Sequence, residues 1–426
     1  MLNHSTNNRK AQDLAHSQKV WMQGVLWVFL IVSLLGVLLR YQFVSDPLPF
    51  DYQNLLHAHS HLAMMGWAYQ LVAGALVFLT LWPVAQKKPV YKHLFVANMI
   101  AVAGMVPAFI YQGYGAWSIG FCTIHLITVY VFAWHYLKDM RSAVSGSSAQ
   151  LIRWSIYWLL ISTIGVWAIG PVSVLLGKAH PLYHMSIQFF LHFQFNGWFT
   201  YAALGLLVHQ LLSEGCEVSD WKLPVRILNL SIALTYFLSI LQQVDSVLFI
   251  QLNAFGSLLQ LVAVLVILLP FFNSFQPERK ISWIHVLLVV GVSCLVLKVL
   301  LQAVASLPFI GGDAFALRDN IVAFIHLTML GGVTLTVVAI LLKNQLLPSN
   351  ILSQWGWQVF LTGFVAMEMM LFGHQLFIQY VDGGIYYPLL LGFTTLLPTG
   401  IFLLVTDAST SVRFQMNMIT IKNKQL

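Results

Sequence analysis

The chain has 426 residues, of which 59% are apolar, 14% aromatic and only 8% charged, and its mean hydropathy is +0.79. This composition excludes an ordinary soluble globule, in which charged residues make up about a quarter of the sequence. The formal charge of +7 gathers in short loops between apolar runs, so no nucleic-acid partner is inferred from it.

Crossing the hydrocarbon core takes about 20 residues of helix at about 1.5 Å per residue. Runs of that length predict an all-α, polytopic membrane protein with twelve transmembrane helices. In chain order they cover 20–40, 55–83, 90–111, 115–136, 152–176, 183–211, 226–243, 250–272, 282–304, 319–342, 353–375 and 384–405. The remainder is too short for a soluble domain, so 1–426 reads as a single transmembrane domain whose bulk partner is the lipid bilayer. The first span is too long for a signal-peptide core and has no small-residue cleavage site after Leu39, so it reads as retained.

Lysine and arginine set the orientation, because basic loops stay cytoplasmic. With both termini inside, Arg9, Lys10, Lys19, Lys87, Lys88, Lys92, Lys138, Arg141, Arg153, Lys222, Arg226, Arg279, Lys280, Lys343, Arg413, Lys422 and Lys424 share one side. Only Arg40, Lys178, Lys298 and Arg318 lie outside or within a span. A multi-pass protein of a bacterial-type inner membrane is the expected location. Cys122, Cys216 and Cys294 form no Cys-x-x-Cys motif, so no redox pair, cysteine zinc site or covalently attached haem is encoded.

Three spans carry closely similar phrases. They are His61-Leu-Ala-Met-Met-Gly66-Trp67, His192-Phe-Gln-Phe-Asn-Gly197-Trp198 and His326-Leu-Thr-Met-Leu-Gly331-Gly332. The histidines lie 131 and 134 residues apart, which corresponds to four spans each time and predicts three four-helix arcs. Histidine within a bilayer is costly, and imidazole is a neutral nitrogen ligand for iron, copper or zinc. Recurrence at one place in each unit makes His57 or His61, together with His192 and His326, candidates for holding a cofactor. His57 and His61 share a helix face at i and i+4, while His184 and His192 lie about two turns apart. His125 and His374 are weaker candidates. Lys298, Gln302 and Glu368 are polar residues inside spans, fit for a proton path or a buried ion pair. The cluster of Met367, Met369 and Met370 reads as packing rather than a copper relay.

Twelve spans, three arcs and histidines on spans 2, 6 and 10 resemble subunit I of the haem-copper oxidase superfamily over nearly the whole chain. The likeness is nearest in style to the cbb3-type oxidase and nitric oxide reductase branches. It implies a low-spin b-type haem with one axial ligand on span 2. Leu56-His57 followed by Gly66 is similar to the phrase of those branches and favours His57, whereas His61 fits the internal repeat, and the choice stays open. His326 would be the second axial ligand. The resemblance also places a copper ligand at His192.

Other positions depart from the family pattern. Phe324 stands where the family has the histidine of its gas-reducing haem, and Gln242 and Gln243 stand where it has a copper-binding histidine pair. Asn196 replaces a tyrosine found in some members, and the arginine pair after span 11 is missing. The leading expectation is therefore an electron-transfer, sensing or assembly protein that keeps the low-spin haem, with a redox protein or another membrane subunit as partner. Whether it is an enzyme stays open. One alternative is an oxygen or nitric oxide reductase using His184, His192 and His125 as metal ligands. The other is a transporter of copper or haem.

Overall fold

The computed structural model describes residues 2–45, 48–218, 221–241, 243, 246–274, 282–307, 318–380 and 383–424. Gln242, Asp245, Arg279 and Lys280 lie outside the described residues. No strand occurs among the described residues. The helices are α1 (Leu2–Tyr41), α2 (Tyr52–His61), α3 (Tyr69–Thr80), α4 (Trp82–Ala85), α5 (Val90–Gln112), α6 (Ala116–Ala143), α7 (Gly146–Leu175), α8 (Pro181–His192) and α9 (Thr200–Ser213). They continue as α10 (Lys222–Ile240), α11 (Val247–Asn273), α12 (Trp283–Ala305), α13 (Arg318–His326), α14 (Thr336–Lys343), α15 (Ile351–Phe372), α16 (His374–Tyr380) and α17 (Gly383–Lys424).

Among the described residues eleven helices are long and apolar enough to cross a membrane, in agreement with an all-helical, multi-pass membrane protein. The expected sixth span, 183–211, lies in a stretch, 181–213, that is helical throughout but is not among the eleven. His184, Gln188, His192, Gln194 and Asn196 make it less apolar than the rest.

Local chemistry sets where several helices begin. Asp51 caps α2 by accepting from Asn54 N (2.9 Å), and Asn350 caps α15 through Ser353 N (3.0 Å). Ser282 does the same for α12 through His285 N (3.2 Å). In each case a side-chain oxygen satisfies one of the amide donors that a helix start leaves free.

The chain forms two compact units, one of residues 1–78, 82–132 and 341–426, the other of 79–81 and 133–340. In the first, α15 and α17 pack along each other through a glycine pair. A Cβ on Gly400 would stand 2.5 Å from Gly356 O and 2.7 Å from Phe360 N, so only glycine permits this approach. The same unit stacks Phe29 of α1 on Trp67, with ring centroids 3.7 Å apart. The second unit is built on α10 against α11 and on α7 against α8 and α9.

Among the described residues three π-helical segments interrupt the α-helices: π1 (Leu62–Ala68), π2 (Phe193–Phe199) and π3 (Leu327–Leu335). Each begins at the residue directly after a repeated histidine, namely His61, His192 and His326. A π turn fits one extra residue into the helix, is rare, and is found frequently at functional sites. Its shifted hydrogen bonds need outside partners. Met65 O in π1 accepts from Asn98 Nδ2 of α5 (3.2 Å), and Phe195 O in π2 accepts from Thr200 Oγ1 (2.7 Å).

Candidate functional site

In the first unit, His61 closes α2 with both ring nitrogens engaged. Its Nδ1 lies 2.9 Å from His57 O, one turn back on the same helix, and its Nε2 lies 3.1 Å from Tyr114 OH. A carbonyl oxygen only accepts, so Nδ1 carries the proton, and in the neutral ring Nε2 is the lone pair to which the Tyr114 hydroxyl donates. Binding a backbone carbonyl through one nitrogen fixes the tautomer and aims the other, as metal-ligating imidazoles require. Phe109 packs 4.3 Å from the His61 ring, centroid to centroid.

His57 is half-buried, with its ring 4.7 Å from Tyr114 and 6.3 Å from Phe109. Its ring nitrogens have no hydrogen-bond partner among the described residues. His57 and His61, the two candidates on span 2, therefore stand within one aromatic cluster, but only His61 has its tautomer fixed.

His125 is buried, and its Nδ1 lies 2.6 Å from Asn98 Oδ1. Asn98 thereby links His125 to the π1 carbonyl of Met65, and the His125 ring meets Tyr69 edge-on at 5.0 Å. This is a hydrogen-bonding role that braces π1. His59 Nδ1 donates to Val32 O (3.0 Å), because a carbonyl oxygen only accepts. His374 stacks on Tyr386 with centroids 4.3 Å apart.

In the second unit His192 uses the opposite tautomer. Its Nε2 lies 2.9 Å from Ile232 O of α10, so Nε2 carries the proton, and Nδ1 is the acceptor facing Asn196 Nδ2 and Ser239 Oγ, both at 3.4 Å. Asn196 Oδ1 accepts from Lys298 Nζ, which also donates to Gln302 Oε1 (2.8 Å). Lys298 is fully buried, and His192, Asn196 and Gln302 are nearly so. The result is a closed polar hub, Ser239–His192–Asn196–Lys298–Gln302, joining α10, α8, π2 and α12. The partners of Lys298 are amides of its own unit, rather than the carboxylate that an ion pair would need; Glu368 is a buried residue of the first unit.

His184 is exposed on α8. The eight residues between it and the buried His192 amount to about 12 Å of α-helix. Among the described residues no three His, Cys, Asp or Glu side chains are grouped to hold a metal ion. The donors around His192 are amides, a hydroxyl and an amine. These do not fit copper, which favours imidazole and thiolate.

His326 ends α13 and opens π3, and Phe324 precedes it on the same helix. Gln243 is a turn residue after α10. Sequence reasoning missed Tyr114 and Asn98. Asn98 could have been noticed as an amide inside an otherwise apolar span. Tyr114 sits in a Gly113-Tyr114-Gly115 turn, and nothing in that short phrase points to span 2.

No protein-family model matches the chain, and no curated protein matches it either.

Proposed function

We propose that the protein is an integral membrane haem protein, holding a low-spin b-type haem for electron transfer, sensing or assembly and lacking a gas-reducing centre. The observation that carries this reading is the His61 imidazole. A backbone carbonyl fixes its tautomer, its Nε2 lone pair is presented to an aromatic cluster, and it stands at the mouth of a π segment that recurs after His192 and His326. These features fit an axial imidazole. His61 is the preferred span 2 ligand, His57 its alternative and His326 the other candidate ligand.

A b-type haem, when bound, supplies a one-electron couple. The chain's own part is distinct. His57 O holds the Nδ1 proton of His61, Asn98 braces the π1 turn behind it, and Tyr114 covers Nε2 until a ligand displaces it. Copper is not part of the proposal, because the amide and amine donors around His192 do not fit it. Phe324 cannot ligate iron and glutamine amides hold copper poorly, so reduction of oxygen or nitric oxide is not proposed.

The finer topology belongs to the same proposal. The stretch 183–211 serves as the sixth of twelve spans in three four-helix arcs, both termini lie in the cytoplasm of a bacterial-type cell, and a redox protein or membrane subunit is the partner. The basic loops support the orientation.

Extraction and pyridine haemochrome analysis of purified protein tests the reading. About one b-type haem per chain supports it, and protein purified from haem-replete cells without haem overturns it.

A further inference from the structure

Helix α11 carries three polar side chains, Asn253, Ser257 and Gln260, separated by four and three residues, which places them on one helical face. All three are buried, Ser257 and Gln260 completely. Asn253 Oδ1, Ser257 Oγ and both amide atoms of Gln260 have no hydrogen-bond partner among the described residues. Gly256, on the same face, turns this stripe toward α10. A Cβ there would lie 2.6 Å from Leu234 Cβ and 3.2 Å from Ser231 O.

The facing helix does not satisfy the stripe. Ser231 and Thr235 spend their hydroxyls on their own helix, at Leu228 O (2.7 Å) and Ile232 O (3.3 Å). An orphaned buried polar atom bears the full cost of its lost hydration, and hydrocarbon offers no partner from outside. Four such atoms on one face are too costly to remain unserved.

The chemistry of the missing partner follows from Gln260, which needs an acceptor for its N–H groups and a donor for its oxygen. A bare cation would meet only the oxygens, and an anion only the N–H groups. Water does both, and buried waters commonly make about three hydrogen bonds to such groups. The closed seam leaves no water-sized gap beside these atoms, so it must part to admit one.

We propose that the α10–α11 seam is a hydration site that opens to take up a short row of water molecules held by Asn253, Ser257 and Gln260. The row covers about 10 Å of helix axis. It is independent of the haem reading.

Cysteine accessibility tests this in the full-length protein in lipid nanodiscs, with Cys122, Cys216 and Cys294 replaced by alanine. Gln260→Cys is compared with Leu258→Cys, since Leu258 is 57% exposed on the outer surface of the same helix. A thiol reacts with a small methanethiosulfonate as the thiolate, which water stabilises and apolar surroundings suppress. Reaction about tenfold faster at 260 than at 258 is expected, and equal or slower reaction at 260 overturns the proposal. A second measurement serves if a cysteine variant misfolds. The triple variant Asn253→Leu/Ser257→Ala/Gln260→Leu removes the orphaned groups, so a dry seam would gain stability. A hydrated seam would lose its water-mediated bonds, and an unchanged or lower thermal midpoint is expected. A raised midpoint overturns the proposal.

Discussion

His61 Nδ1 lies 2.9 Å from the carbonyl oxygen of His57, one helical turn behind it. That contact makes the two histidines unequal, because His57 serves His61 through its backbone while His61 presents Nε2 to Tyr114.

The Tyr114 hydroxyl occupies the lone pair that a metal would use. Tyr114→Phe keeps the ring contacts and removes the donor. We expect the variant to retain its haem content and its visible spectrum, and haem-free protein to take up added haem several-fold faster than the unmodified chain. Stopped-flow absorbance measures the rate. Uptake no faster than in the parent would mean that Tyr114 does not cap the ligand.

The polar hub of the second unit predicts strong coupling between Lys298 and Asn196. Removing either member alone strips the other of one buried hydrogen bond, although Lys298 keeps Gln302 and Asn196 keeps His192, whereas the second removal no longer adds that loss. A double-mutant cycle of Lys298→Met and Asn196→Leu, followed by thermal or denaturant unfolding in detergent, is expected to give a coupling of at least about 1 kcal/mol. Additive effects would count against the contact.

Gly197 in π2 lies against Trp158. A Cβ would meet Trp158 Cβ at 2.5 Å, and the Trp158 ring is already stacked on Phe193 with a 5.0 Å centroid distance. Gly197→Val should destabilise the protein by about 1–3 kcal/mol through overpacking. Gly170→Ala, where a Cβ would meet nothing within 4 Å, is the control and should leave the melting temperature unchanged or slightly raised.

Much of this was legible in the sequence, for identifiable reasons. Long apolar runs can satisfy their backbone only as helices, so the all-helical class followed from composition alone. The stretch 181–213 was harder. Its apolar length suffices, but Gln194 and Asn196, polar side chains within it, bond to Ser162 and Lys298 inside the second unit. The three repeated phrases marked where π segments begin, yet not that they are π-helical. That geometry depends on tertiary partners such as Asn98, far away in sequence. For the same reason the phrase could not separate His57 from His61, since the Tyr114 contact that distinguishes them comes from a loop after α5.

Gas chemistry gives a further expectation. Phe324 precedes His326 on α13, and a phenyl ring cannot bind iron. With an artificial electron donor, purified protein should consume negligible oxygen or nitric oxide. Turnover near the roughly 10 s⁻¹ typical of enzymes would contradict the proposed loss of the gas-reducing centre.

The most direct test of the central proposal is the visible and low-temperature EPR spectrum of purified His61→Ala beside His57→Ala and the parent chain. The parent should show a six-coordinate, low-spin b-type haem. His61→Ala should lose it, giving five-coordinate or absent haem, because one axial imidazole is gone, while His57→Ala should keep six-coordinate haem, since alanine still supplies the backbone carbonyl that holds His61 Nδ1. A six-coordinate spectrum that survives His61→Ala would contradict His61 as the ligand, and a parent chain with no low-spin haem would contradict the proposed function itself.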